Sequence, residues 1–291
     1  MGQNGSGRLG DGTAVNRSDP VKIVDSGVID VAAGYGHTVF CKTDGSLWAM
    51  GANAKGQLGD GTLLTRESPV PIVPSGVTHV GAGAYHTQFI RNGIVHTVGH
   101  NLYGQLGIGT SGGDHSTPQI AWKGTAPLHE VGLGLTRGLG LRHSLFLKGV
   151  PGLTSQLWAM GAGSSGQLGN GSNSQQDSPV LVRSGVVAAA TGTYASVFID
   201  DNGTLWGMGS TQYTGVTGNT PKQIATGITA VAGGAKHFLF IKTDGSLWGW
   251  GKNSWGGQLG DGTTDDRTTE VATSGIPSLT YQWQKEINGT W

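Results

Sequence analysis

Nine histidines occur in the 291 residues, and four of them stand at equivalent places. His37, His86, His143 and His237 each follow a glycine-rich approach, such as Ala33-Gly34-Tyr35-Gly36, and each opens an apolar run; Ala195 takes the place in one further copy. Neutral imidazole is a common metal ligand, so three or four converging rings could hold Zn²⁺ or another divalent transition metal. A water in the open position would then be nucleophilic at neutral pH, which suits ester or phosphoester hydrolysis. A plainer reading fits the same residues: each histidine serves hydrogen bonding within its own copy. The spacing leaves both open.

Other candidate chemistry has simpler explanations. Gly161-Ala162-Gly163-Ser164-Ser165-Gly166 has the spacing of a dinucleotide-binding glycine loop, but no helical pattern follows it and Gly51 to Gly56 repeats it as turn chemistry. Asp261-Gly262-Thr263-Thr264-Asp265-Asp266 offers oxygen ligands without the closing Glu of a calcium loop, which makes it a surface turn. The one cysteine, Cys41, sits in an apolar segment and reads as a buried structural thiol. No Ser-His-Asp order or paired-carboxylate motif stands out. Formal net charge is zero and Lys and Arg form no run, which argues against nucleic acid as a partner. No apolar stretch of membrane-spanning length occurs, so the chain reads as soluble.

What positions these residues is a tandem repeat. Asp44-Gly45-Ser46-Leu47-Trp48 recurs at Asp244 to Trp248, with variants ending at Trp158 and Trp206. Each copy precedes a glycine-rich turn, of which Gly56-Gln57-Leu58-Gly59-Asp60-Gly61-Thr62 is the type, seen again at Gly104, Gly166 and Gly257 and foreshadowed at Gly7. The histidine positions recur at intervals of 42 to 57 residues, the period of a propeller blade. Within one period the pattern predicts short strands at His37 to Lys42, Ser46 to Met50, Val70 to Val73 and Val77 to Ala82. With 54 Gly and 12% charged residues, an all-β chain of tight turns is expected.

The order of these elements resembles the repeat of the regulator of chromosome condensation (RCC1) family, over residues 1 to 275. The resemblance implies a β-propeller. Known members commonly have seven blades, whereas five units can be drawn here, near 27–75, 76–125, 126–184, 185–226 and 227–275. Met1-Gly2-Gln3-Asn4 aligns with Met50-Gly51-Ala52-Asn53, so the chain opens inside a repeat and about six four-stranded blades are expected. In that reading residues 276–291 close the ring by pairing with the N-terminal segment. Thr280 to Trp291 aligns on His237 to Trp248 but also resembles the start of a bacterial immunoglobulin-like domain, whose stub it would then be.

Tyr35, Tyr85, Arg142, Tyr194 and Lys236 immediately precede the histidine positions and are placed on one rim. Tyr and Arg are typical interface anchors. The leading expectation is a non-catalytic binding module presenting this rim to a protein or small-molecule ligand. The alternatives are a metal-dependent hydrolase, esterase or phosphotriesterase-like, using His37, His86, His143 and His237, and a structural repeat region of a larger bacterial surface protein. The nucleotide-exchange activity of the founding family member is not carried over, because no inserted wedge is visible. Low charge and the tail resemblance point to an extracellular or cell-surface bacterial location.

Overall fold

In the computed structural model, residues 1–122, 142–150, 153–210 and 218–273 are described. They form five antiparallel sheets and no helix, so none of their helices is long and apolar enough to cross a membrane. The first sheet contains β1 (Val28–Ala33), β2 (His37–Lys42), β3 (Leu47–Gly51) and β4 (Arg66–Val73) in that order. The second repeats the order with β5 (Val77–Ala82), β6 (His86–Arg91), β7 (Ile94–His100) and β8 (Asp114–Trp122). The third contains β9 (His143–Val150), β10 (Leu153–Gly161) and β11 (Gln176–Ser184). Then come β12 (Val186–Thr191), β13 (Ala195–Asp200), β14 (Leu205–Gly209) and β15 (Gly218–Ala225). The fifth sheet is β16 (Ile228–Gly233), β17 (His237–Lys242), β18 (Leu247–Gly251) and β19 (Arg267–Ala272).

Two of the strands expected from the pattern, β2 and β5, have the expected bounds, while β4 starts four residues earlier, at Arg66 instead of Val70. The extra length comes from side chains that periodicity does not weigh: Arg66 is tied to Asp60 at 2.7 Å and its backbone pairs with Gly51 across a register shift. Tail residues 276–291, offered for ring closure or an immunoglobulin-like stub, lie outside the described residues.

A single sheet exposes two apolar faces, so the sheets must stack. They do so in chain order: β5 lies against β1 and β2, β12 against β9 and β10, and β16 against β12 and β13. Leu145, Leu147, Leu157 and Ala159 from the third sheet meet Phe198 and Met208 from the fourth in one such layer. Phe198 stacks on Trp206 at 6.3 Å, as Phe40 does on Trp48 and Phe146 on Trp158. The recurrent tryptophans therefore pack, as expected, with Trp158 and Trp206 bordering the layers between sheets. Cys41 is fully buried, and burial pushes its thiol up to about 11, consistent with an inert core residue.

The glycine-rich loops of the first three sheets each lie over the sheet that follows. Gly56 has φ +72°, and a Cβ there would come within 2.6 Å of the Ser116 Cα on β8, so only glycine permits the approach. Gly7 stands in the same relation to Glu67 of the first sheet, and Gly2 pairs with Arg17 as Gly51 does with Arg66. Residues 1–17 thus reproduce the loop and strand corner of a repeat, as the alignment of Met1 to Asn4 anticipates.

A buried asparagine, Asn4, Asn53, Asn101 or Asn253, shapes four of the loops, and Gly163 stands in its place in the third sheet. Asn53 donates from Nδ2 to the Asp60 carboxylate at 3.0 Å and to the Thr62 carbonyl at 3.0 Å, while its Oδ1 accepts from the Leu58 amide. Asn4 and Asn253 do the same with Asp11 and Asp261. Asp261 also pairs with Arg267 at 2.7 Å, which spends its carboxylate on the turn. Asn53→Ala leaves the Leu58 amide and the Asp60 carboxylate short of partners and is expected to cost about 2 to 4 kcal/mol. A urea-melt midpoint unchanged from the parent would contradict this account.

Candidate functional site

His37, His86, Ala195 and His237 open the second strand of their sheets, and His143 opens β9, the first described strand of the third. From there the imidazoles turn sideways onto the next sheet. His37 Nε2 lies 2.9 Å from Thr87 Oγ1, His86 Nε2 2.7 Å from Ser144 Oγ, and His143 Nε2 2.8 Å from Ser196 Oγ. Those hydroxyls donate in turn to the backbone carbonyls of Gln57, Gln105 and Gln167 in the loops of the preceding sheets. A hydroxyl has one proton to give, so each imidazole must carry its own on Nε2 and donate it.

Nδ1 is then the bare nitrogen, and in all three it is buried without a partner. In His37 and His86 the ring faces a glycine: a Cβ on Gly34 or Gly83 would fall on the imidazole that follows, as one on Gly234 would on His237. Protonation would place a second N–H there with nothing to accept it. Burial, and secondarily the neighbouring histidine, accordingly lowers His37 to about 3, His86 to about 4 and His143 to about 3.

This geometry corrects the metal reading. His37, His86 and His143 are each committed to an inter-sheet bond, and among the described residues no group of three His, Cys, Asp or Glu is arranged to hold a metal ion. His237 lies apart from the other three in behaviour, being only partly buried. The hydrolase alternative loses its ligand set with the metal.

At the interface between the fourth and fifth sheets the lock changes character. Ala195 replaces the histidine and Phe238 replaces the hydroxyl, and both join one apolar cluster with Val197 and Trp250. The histidine and hydroxyl positions exchange together.

Tyr35, Tyr85, Tyr194 and Lys236 occupy the hairpins between first and second strands, and Arg142 immediately precedes β9. Tyr35 and Tyr85 are exposed and lie 5.9 Å apart between ring centroids. Tyr85 meets the edge of His100, which meets Tyr103. Arg142 lies over Tyr103 at 4.6 Å and reaches Tyr194 at 5.9 Å. On the fifth sheet Lys236 lies 4.3 Å from the Trp255 ring. Four of the five expected rim residues thus fall in one chain of contacts across four sheets, and Lys236 makes an equivalent pair on the fifth.

The expectation missed Tyr103 and Trp255. Both stand two residues beyond a loop asparagine, Asn101 and Asn253, at the place Lys55 holds after Asn53. Gln57 and Gln105 hold the Lys55 and Tyr103 amides through their side-chain oxygens, which sets the loop tip. Comparing that position between repeats would have found them.

Five stacked antiparallel sheets, with loops overlapping in one direction and one decorated rim, define a repeat β-propeller. Two sequence profiles described as the regulator of chromosome condensation (RCC1) repeat match the chain, one at residues 1–41, 44–90 and 155–199 and the other at 28–57 and 228–256, together more than half of it. The chain belongs to the RCC1-repeat family.

Solved structures agree on the fold. Human WBSCR16 aligns with a TM-score of 0.73 at 21% identity, covering 86% of this chain and 68% of that protein. Yeast RCC1 (Prp20), in its structure bound to Kap60, aligns with a TM-score of 0.70 at 18% identity, covering 87% and 65%. Prp20p of Saccharomyces cerevisiae, described together with its binding to Gsp1p and histones, gives 0.66 at 20%, covering 87% and 67%. The chain spans about two thirds of the length of these proteins. A comparison with curated protein sequences gives no match.

Proposed function

We propose that this propeller is a non-catalytic binding module whose rim, built on Tyr35, Tyr85, Arg142, Tyr194 and Lys236, holds a protein partner. The observation that carries the reading is the run of aromatic and cationic side chains from Tyr35 to Tyr194, on one end of four sheets. Buried imidazoles held neutral and bonded to hydroxyls serve the scaffold, which leaves the rim as the surface with unspent contact chemistry. Protein binding by the yeast relative in complex with Kap60 supports the same class of role.

The test compares two triple variants in capture of partners from a cell lysate. Tyr35→Ala/Tyr85→Ala/Arg142→Ala is expected to lower recovery of the specific partners by about tenfold or more, since aromatic and Arg anchors dominate such interfaces. Thr43→Ala/Asp201→Ala/Asp244→Ala, on the turns at the opposite end, is expected to leave recovery unchanged. Equal recovery by both variants would assign binding elsewhere.

A further inference from the structure

The charges along the rim are not balanced. Asp114 is engaged twice, by Lys55 Nζ at 3.2 Å and His100 Nδ1 at 2.7 Å. Asp266 is engaged by Lys252 at 2.6 Å and by the Asn253 and Ser254 amides. These two carboxylates are therefore spent. The cations are less so. Arg142 lies on the Tyr103 and Tyr194 rings and pairs with no carboxylate among the described residues. Arg8 gives one Nη1 hydrogen bond to the Tyr35 carbonyl at 2.9 Å and pairs with no carboxylate among the described residues; its Nε is buried, so its terminal nitrogens are the donors it can offer.

Stacking holds a guanidinium by its face and leaves the in-plane N–H donors along its edge available, the geometry that accepts a carboxylate in bidentate fashion. Between Arg8 and Arg142 along the rim lie the exposed rings of Tyr35 and Tyr85, 61% and 38% accessible. A surface that alternates Arg142, exposed tyrosine rings and Arg8, neither guanidinium paired with a carboxylate among the described residues, on a chain of zero net charge, complements an extended segment with spaced carboxylates.

Resting on the rim as the binding surface, we infer that its partner is engaged through an acidic extended segment of polypeptide, with carboxylates placed on Arg142 and Arg8. The probe is a fluorescein-labelled decapeptide of alternating Glu and Tyr, read by fluorescence anisotropy against the same peptide with Gln or Lys in place of Glu. Binding of the Glu peptide is expected to weaken about tenfold in Arg142→Gln, the size of one lost charge-assisted bond, and similarly in Arg8→Gln. It is also expected to fall as salt rises.

Equal binding of the Gln peptide, or preference for the Lys peptide, overturns the inference. So does quenching of Trp255 fluorescence by a chito-oligosaccharide when the Glu peptide leaves it unchanged, which would make the aromatic rings a glycan platform. The triple-variant comparison separates the two levels. If rim variants lose their partners while the Glu peptide fails to bind, the rim stands as the surface and only the acidic segment is refuted.

Discussion

Lowering the pH from 7.5 to 5 is expected to remove about 6 kcal/mol of folding stability through three side chains. In the unfolded chain His37, His86 and His143 take up protons near 6.5, whereas in the fold burial holds them at about 3, 4 and 3. Below pH 6.5 the unfolded state binds more protons than the native state, so stability falls with pH. The loss begins near 6.5 and grows until the native values are reached, amounting to about 2 kcal/mol per histidine at pH 5. Above pH 7 the contribution is flat. Denaturant titrations at half-unit pH steps measure this directly, and a free energy of unfolding constant from pH 7.5 to 5 would refute the neutral, Nε2-protonated assignment. His86→Gln should lessen the slope by about a third, whatever it costs in absolute stability.

The second large effect concerns the exchanged lock. Phe238 is fully buried against the fourth sheet, so Phe238→Ser is expected to cost about 3 to 5 kcal/mol. Ala195→His pushes a ring into space that Phe238 fills, at about 1 to 3 kcal/mol. Together they recreate the histidine and hydroxyl pair of the other three interfaces. The double variant is expected to be more stable than the sum of the single losses predicts by about 2 kcal/mol. A thermal or urea series in which the two losses simply add would mean that the positions exchange independently.

Much of the architecture could be read from the chain because its repeats are dense in turn chemistry. The Gly-Gln-Leu-Gly loops, the Leu-Trp strands and the histidine register located four of the five sheets to within a few residues of their bounds; the expected start of the third lies outside the described residues. Periodicity could not give direction. That His86 reaches forward to Ser144, 58 residues on, depends on how sheets stack, and no local pattern encodes it. The metal reading met the same limit: a shared register says nothing of how His37, His86 and His143 each turn to a hydroxyl on the next sheet. The rim was half legible. Tyr35, Tyr85 and Tyr194 were visible beside a marked histidine position, whereas Tyr103 and Trp255 stood in loops that looked like ordinary turns.

The forward overlap of loop and imidazole makes the propeller a course of shingles. Its cohesive joint is the seam, made of the trailing half of one sequence repeat and the leading half of the next. Excising or duplicating any stretch that begins and ends at the same point of the repeat rebuilds a seam of the same kind, since histidine, hydroxyl and loop carbonyl come together again from new neighbours. Gain or loss of whole units is therefore tolerated far better than a cut within one, which offers a physical route to rings of differing size. The Ala195 and Phe238 joint is the exception: a unit moved across it would bring an imidazole against an aromatic ring, or an alanine against a lone hydroxyl.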